Sequence, residues 1–167
     1  MNQRTRKILM WALFALLYLL VMLVQTTLFG RLRLLGVKLN LMPIVIVCVA
    51  MQTDHEAAGV FGLIAGFVWY AFGADDGALA MVSFTLLGAL AAWLCENFLA
   101  KRFLSAMLLC LCAVAIHEGA RFLLKYYLND APGRLLIWVP VITGLSIIPS
   151  PIIYLLSKLV RKAGADA

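Results

Sequence analysis

The stretch ILMWALFALLYLLVMLVQTTLF, residues 8–29, decides the fold class because it contains no charged side chain. It directly follows three basic residues, Arg4, Arg6 and Lys7. As a helix, these 22 residues rise about 33 Å, which is enough to cross a hydrocarbon core of roughly 30 Å. The run is longer than the apolar region of a secretory signal, and no small-residue cleavage site follows it. We therefore expect a retained membrane anchor.

The rest of the chain has the same composition. Hydrophobic residues make up 65% of the 167 residues and charged residues only 13%, with a mean hydropathy of +1.01. Soluble domains are roughly 45–50% apolar. Residues 1–167 therefore predict one integral membrane domain with an all-α fold. The segments between apolar runs are too short for a soluble domain.

Six apolar segments predict an up-and-down bundle of six transmembrane helices, since the short links between them require antiparallel neighbours. The predicted spans are residues 8–29, 34–52, 57–72, 78–95, 103–128 and 135–157. Eight Lys and Arg residues fall on the side of the N-terminus and six on the other side, so we expect both termini in the cytoplasm.

The sequence offers no set of residues for catalysis or for binding a cofactor. It contains no Ser-His-acid combination, P-loop or dinucleotide fingerprint, and no spacing of metal ligands. The net charge of +6 comes from basic residues beside apolar runs, which favours lipid headgroups over nucleic acid as partners. The four cysteines lie within apolar runs and are predicted to be core residues: Cys48, Cys95, Cys110 and Cys112.

Small residues form a stripe along the third predicted span. Their spacings of three, four and seven place them on one helix face, where another backbone can approach closely. The stripe either packs against the protein's own helices or forms a groove for a helix of a partner. Its members are Gly59, Gly62, Gly66 and Gly73, and Gly88 with Ala92 repeats the pattern on the fourth span.

The fifth predicted span carries His117, Glu118 and Arg121 close to the membrane midplane. A charge at that depth needs a partner, and Glu118 and Arg121 are spaced to pair on one helix face. We expect an intramembrane polar group that fixes helix packing or receives a partner. Two alternatives are a proton relay and an Arg121 that extends to the membrane interface together with Lys125. A zinc protease is excluded, because His-Glu-x-x-His would need a histidine at position 121.

Prolines and polar residues predict where helices begin or bend. Pro43 is expected in the first turns of the second span, while Pro140, Pro149 and Pro151 are expected to kink or break the sixth. The stretch 53–56, Thr-Asp-His-Glu, predicts a capping box in which Thr53 and Glu56 start the third helix. Asp75 and Asp76 are predicted to cap the fourth helix or to contact a partner.

Several motifs together resemble one known family. They are VQTTL (24–28), MPIV (42–45), GLIAGF (62–67), TLLG (85–88), the acidic Glu118, and PIIYLLSK (151–158). With these motifs the chain resembles the bacterial rod shape-determining protein MreD family over nearly its whole length. One difference is that Val68-Trp69-Tyr70 follows the Gly-Phe element, where the family often carries an aspartate.

The resemblance implies a non-enzymatic scaffold of the cell-wall elongation complex in the bacterial inner membrane. It implies that the protein binds MreC and, through MreC, the elongation transpeptidase and glycosyltransferase and the MreB filaments. The implied fold is similar to that of the substrate-binding components of energy-coupling-factor vitamin transporters. Such a transporter component is the alternative function, with a ligand pocket drawn from Trp69, Tyr70, Asp75, Glu118 and Arg121.

Overall fold

In the computed structural model, the described residues are 3–29, 39–72, 78–99, 102–129 and 133–166, and all their elements are helices. The helix α1 continues into a π-helical turn at Gln25–Phe29, and a 3₁₀ turn at Gly133–Ile137 precedes α6. The α-helices are α1 (Gln3–Val24), α2 (Met42–Ala50), α3 (His55–Ala71), α4 (Ala78–Asn97), α5 (Phe103–Asn129), α6 (Trp138–Ser146) and α7 (Ser150–Asp166). The prediction of an all-α protein is confirmed.

Three of these helices are long and apolar enough to cross a membrane: Arg4–Thr27, Ala78–Asn97 and Phe103–Leu128. A fourth candidate is the pair Trp138–Ser146 and Ser150–Gly164, if the two are counted as one span bent by 46°. The described part of the chain is thus a membrane-embedded helical protein with three or four candidate spans.

The structure does not support the predicted count of six spans, because two of the helices, α2 and α3, are too short to be candidate spans. α2 has nine residues and is about 14 Å long, and α3 has 17 residues and is about 26 Å long. Both fall short of a hydrocarbon core of roughly 30 Å. The apolar sequence of α2 reflects its burial within the bundle, whereas large apolar side chains of α3, such as Val60 and Ile64, are exposed.

The short helix α2 is the centre of the core. Every residue from 39 to 53 is buried, and α2 packs against α1, α3, α4, α5 and α7. Its sequence MPIVIVCVA is apolar on all sides, which is typical of a helix enclosed by other helices. Pro43 lies in its first turn, where a missing N–H breaks no helical hydrogen bond, as the sequence predicts.

The small-residue stripe of α3 packs against α4. A Cβ atom added at Gly62 would lie 2.2 Å from the carbonyl oxygen of Phe84, and one at Gly66 would lie 2.6 Å from Cα of Met81. From the other side, a Cβ at Gly88 would lie 2.6 Å from the carbonyl oxygen of Ala58. The backbones of α3 and α4 are therefore in direct contact.

Of the two interpretations of this stripe, the structure shows packing within the chain. α4 occupies the face of Gly62 and Gly66, so that face is not a groove for a partner. Gly59 is less crowded, with Cβ of Ala89 at 3.5 Å, and Ala92 is buried with 1% exposure. Gly73 lies outside the described residues.

α1 and α3 run parallel and are linked by side chains. The hydroxyl of Tyr18 donates a hydrogen bond to the carbonyl oxygen of Ala65 at 2.7 Å, and the rings of Trp11 and Phe61 lie 6.0 Å apart. α7 returns to the start of α1, because a Cβ at Gly164 would meet Cβ of Met10 at 2.9 Å. α1 therefore begins, and α7 ends, at the same end of the bundle, which is called the terminal end below.

We expect the Tyr18→Phe variant to lose about 1 kcal/mol of unfolding free energy, since it deletes one buried hydrogen bond and keeps the ring. Reversible unfolding in mixed micelles measures the change. Tyr70→Phe is the matched control, because Tyr70 is 51% exposed and its variant should unfold like the unaltered protein. Equal losses in the two variants would contradict the assigned hydrogen bond.

The predicted sixth span is interrupted at 147–149, between α6 and α7. Pro149 lies in this turn, where the hydroxyl of Ser150 donates to the carbonyl oxygen of Ile147 at 2.6 Å. Pro140 and Pro151 lie in the first turns of α6 and α7, where proline is compatible with a helix. The bend thus coincides with Pro149, whereas Pro140 produces none.

The predicted capping box at the start of α3 is wrong. Asp54 occupies the N-cap position without a side-chain capping bond, and Thr53 lies in the turn after α2, where its hydroxyl donates to the carbonyl oxygen of Val49 at 3.1 Å. The neighbouring helix supplies the cap instead: the His55 N–H donates to Oε1 of Glu96 at 3.1 Å. Asp75 and Asp76 lie outside the described residues.

Candidate functional site

Side chains from other parts of the chain satisfy the backbone at the N-terminus of α2. The first N–H groups of a helix have no partner within it. Here the Leu41 N–H donates to Oε1 of Gln25 at 3.1 Å, and the Met42 N–H donates to Oδ1 of Asn40 at 3.3 Å. The Asn40 N–H donates to Oγ of Ser146 at 3.0 Å. Segments far apart in sequence therefore meet at this helix end.

Gln25 lies where α1 changes into its π-helical turn. Its side-chain amide also donates to the carbonyl oxygen of Leu39, so one side chain contacts the backbone on both sides of Asn40. Isolated π-helical turns occur frequently at functional sites. Here the side chain of Gln25 fixes how the chain enters α2.

Glu118 of α5 occupies the centre of this polar cluster and is only 4% exposed. Nδ2 of Asn40 donates to Oε1 of Glu118 at 2.6 Å. Nη1 of Arg121 lies 3.7 Å from the other oxygen, Oε2, in the predicted i, i+3 arrangement. Both carboxylate oxygens thus have partners from the chain itself.

Two further features of the chain surround Glu118. The N-terminus of a helix carries a partial positive charge, and α2 presents that end where Asn40 holds Glu118. The side chain of Arg121 is 26% exposed and therefore leads from the buried carboxylate towards the surface. Breaking a buried pair by removing one partner is costly. The arrangement therefore fixes the positions of α1, α2, α5 and α6 relative to one another.

His117 belongs to a different contact from the one the sequence predicts. It is fully buried, and its Nδ1 lies 2.9 Å from Oγ of Ser83 on α4. Its ring is also 5.2 Å from the ring of Phe84, centroid to centroid. His117 therefore connects α5 to α4, while the adjacent Glu118 connects α5 to α2.

Three of the four cysteines are buried in the core. Sγ of Cys48 and Sγ of Cys110 lie 3.9 Å apart in the core, and Cys95 is also buried. Cys112 is exposed, so the prediction that all four are core residues is wrong for this one. Across the described ranges, no three His, Cys, Asp or Glu side chains come together as metal ligands.

The residues proposed for a ligand pocket differ widely in exposure. Tyr70 is 51% exposed at the surface and Trp69 is half-buried, whereas Glu118 is enclosed. Asp75 lies outside the described residues. A cavity is found elsewhere, as an open groove of about 580 Å³ between α1 and α3. Its lining residues are Trp11, Ala15, Glu56, Ala57, Val60, Phe61 and Ile64.

Sequence reasoning identified Glu118 and Arg121 but missed their partners. Gln25, Asn40, Ser83 and Ser146 each interrupt or border an apolar run, and this was a usable signal. A polar side chain within a membrane segment requires a hydrogen-bond partner. The groove had no corresponding signal, because its lining residues are ordinary apolar ones from two separate helices.

The fold and the polar cluster define the class as an all-helical, membrane-embedded protein with a buried carboxylate at the start of a short internal helix. Comparison with known proteins does not narrow this class. No family model matches the sequence, and no curated protein or solved structure matches it significantly.

Proposed function

We propose that this protein is a non-enzymatic membrane scaffold of the bacterial cell-wall elongation complex, in keeping with its resemblance to the MreD family. It resides in the inner membrane with both termini in the cytoplasm. It binds the bitopic protein MreC and, through MreC, connects to the elongation transpeptidase and glycosyltransferase and to MreB filaments. In this role it helps to control cell shape and lateral peptidoglycan synthesis.

The observation that carries this proposal is that both side-chain oxygens of Glu118 already have partners within the chain. Its two oxygens face Asn40 and Arg121 of the same chain, an arrangement that suits helix packing better than chemistry. In contrast, the outer faces of the long helices expose rows of apolar side chains, such as Val82, Leu86 and Leu90 on α4. A protein with a tightly connected interior and apolar outer faces is suited to binding other transmembrane helices.

We also propose that all six apolar segments lie within the membrane. α2 and α3 lie within the membrane together with the three long helices and the bent pair α6–α7, although both are short. The complete enclosure of residues 39–53 supports this placement for α2, because polar backbone ends at membrane depth must be covered by protein. This is the arrangement expected for a fold similar to the transporter substrate-binding components.

The experiment is affinity purification of the tagged protein from native membranes in mild detergent. We expect a bitopic coiled-coil membrane protein to co-purify in stoichiometric amount, and to be absent when an unrelated polytopic protein carries the same tag. A retained small molecule accompanied by energising ATPases would contradict the scaffold and support the transporter component instead.

A single substitution tests the non-enzymatic part of the proposal. Glu118→Gln preserves the shape of the side chain and the oxygen that accepts from Asn40. We expect the variant to retain its partner and to support normal rod shape in cells. Loss of a measurable turnover in this variant, with assembly unchanged, would instead show an intramembrane enzyme.

A further inference from the structure

The groove between α1 and α3 is a surface feature that the proposed scaffold function does not use. Side chains bridge the two helices at Tyr18–Ala65 and at Trp11–Phe61, and the groove opens beside these contacts. Its walls are apolar except for Glu56, which lies at the terminal end. Val60 and Ile64 on its α3 wall are 59% and 58% exposed, so the groove faces the surroundings of the bundle.

The length of the groove fits one leaflet of a bilayer. On α3 the lining extends over nine residues, from Glu56 to Ile64, and therefore over about 12 Å of helix. One half of a hydrocarbon core of roughly 30 Å is about 15 Å deep. An acyl chain of a lipid needs this depth, whereas a transmembrane helix of a partner needs about twice as much.

Charges of both signs lie where the groove reaches the terminal end. Arg4 and Lys7 are spaced seven and four residues before Trp11, on the same face of α1, and both are exposed. The contacts of Tyr18 with Ala65 and Phe61, and of Trp11 with Phe61, place α1 residues level with α3 residues 43 to 50 positions later. Lys7 therefore lies level with the stretch 50–57, which includes Glu56.

These charged groups are available to a ligand. Glu56 is exposed, and neither it nor Lys7 or Arg4 forms an ion pair or side-chain hydrogen bond with any part of the chain that the structure describes. The nearby His55 is engaged differently, since its Nδ1 lies 2.8 Å from Oε2 of Glu96. The end of the groove thus has exposed cations on the α1 side, and the carboxylate of Glu56 lines it on the α3 side.

We propose that this groove binds one phospholipid with a primary ammonium headgroup, of the phosphatidylethanolamine type. One acyl chain occupies the groove along Ala15, Phe61 and Ile64. Lys7 and Arg4 contact the phosphate, and Glu56 accepts hydrogen bonds from the ammonium group. An anionic lipid without an ammonium group, such as phosphatidylglycerol, fits less well, because it offers the Glu56 carboxylate no cation. This site is independent of the proposed scaffold function.

The test is native mass spectrometry of the purified, delipidated protein, titrated with equimolar phosphatidylethanolamine and phosphatidylglycerol. We expect one phosphatidylethanolamine to bind preferentially to each chain. Glu56→Gln should reduce this preference about tenfold, the effect of losing one charge-assisted hydrogen bond. Asp54→Asn is the matched control, since it neutralises an exposed carboxylate two residues away that does not line the groove, and it should leave the preference unchanged.

A second pair of variants tests the groove itself. Ala15→Phe places a ring in the acyl-chain position and should weaken retention of both lipids about tenfold. Ala163→Phe, at an exposed position of α7, should retain lipid like the unaltered protein. Because both alanines are exposed, unfolding temperatures should remain close to that of the unaltered protein, and measuring them separates lipid loss from misfolding.

Three results would overturn the proposal. The first is that Glu56→Gln retains the same lipid preference as Asp54→Asn. The second is that both lipids bind equally to the unaltered protein. A photoreactive group at Ile64 could also label a membrane protein rather than lipid in native membranes, which would show that the groove holds a partner helix. Labelling of lipid at Ile64, lost in Ala15→Phe, would support the lipid site.

Discussion

Replacing Gly62 with alanine is expected to lower the unfolding free energy by about 3 kcal/mol, at the upper end of the usual cost of overpacking. The new Cβ would lie 2.2 Å from the carbonyl oxygen of Phe84 and 2.7 Å from its carbonyl carbon. Both atoms belong to backbone, so no side-chain rotation relieves the clash and α3 must move away from α4. The contact between α3 and α4 is the most extensive helix contact in the described structure, so moving these helices apart weakens their packing along the whole contact.

Reversible unfolding in mixed micelles measures this effect, and other glycines supply the controls. Gly59→Ala, on the same helix, should not destabilise the protein, because its Cβ would meet only Cβ of Ala89 at an ordinary 3.5 Å. Gly119→Ala should stabilise by about 0.5–1 kcal/mol, since nothing lies within 4 Å and alanine favours the helix. Similar unfolding free energies for Gly62→Ala and Gly59→Ala would contradict the close contact of α3 and α4.

The glycine spacing was readable from the sequence, whereas the partner of the glycines was not. In lipid, helices associate through close backbone approach, so small residues three, four and seven apart indicate a contact face. The same spacing serves contacts within a chain and contacts between chains. Only the three-dimensional arrangement shows that Gly62 and Gly66 face α4.

The difference between the six predicted spans and the three or four candidate spans of the structure has a similar physical origin. A helix enclosed by protein and a helix facing lipid are both apolar on all sides, so hydropathy does not separate them. Length separates them better, since an apolar run of about 10–14 residues is more typical of a buried helix than of a complete span. The uninterrupted apolar run at 41–51 has 11 residues, and it forms the buried helix α2 and its flanking residues.

The polar cluster shows the limit of reasoning from spacing. Glu118 and Arg121 lie on the same helix, so their pairing follows from the helical repeat. Asn40 is 78 residues from Glu118 in sequence, and no local pattern connects the two. A buried carboxylate in an apolar segment predicts that a partner exists, while the packing of α2 against α5 determines which residue it is.

Replacing Asn40 with leucine is expected to lower the unfolding free energy by about 3–4 kcal/mol, a cost typical of leaving a buried charge without a partner. The substitution removes the donor to Oε1 of Glu118 and the acceptor of the Met42 N–H together. Arg121, at 3.7 Å from the other oxygen, is too distant to replace the lost bond. Asn97→Leu is the matched control, since Asn97 is exposed near the end of α4 and the change should stay within about 0.5 kcal/mol.

A double-mutant cycle with Glu118→Leu separates the Asn40–Glu118 bond from the other effects of each substitution. Removing both polar groups leaves no buried charge without a donor, so the double variant should be more stable than the sum of the single losses by about 2 kcal/mol. Arg121 is partly exposed, and its flexible side chain can extend to the surface once Glu118 is absent. Additive losses would mean that Asn40 stabilises only the N-terminus of α2, and that Arg121 rather than Asn40 is the partner that stabilises Glu118. A coupling of the expected size would instead establish the bond between α2 and α5 as the contact that holds the buried carboxylate in place.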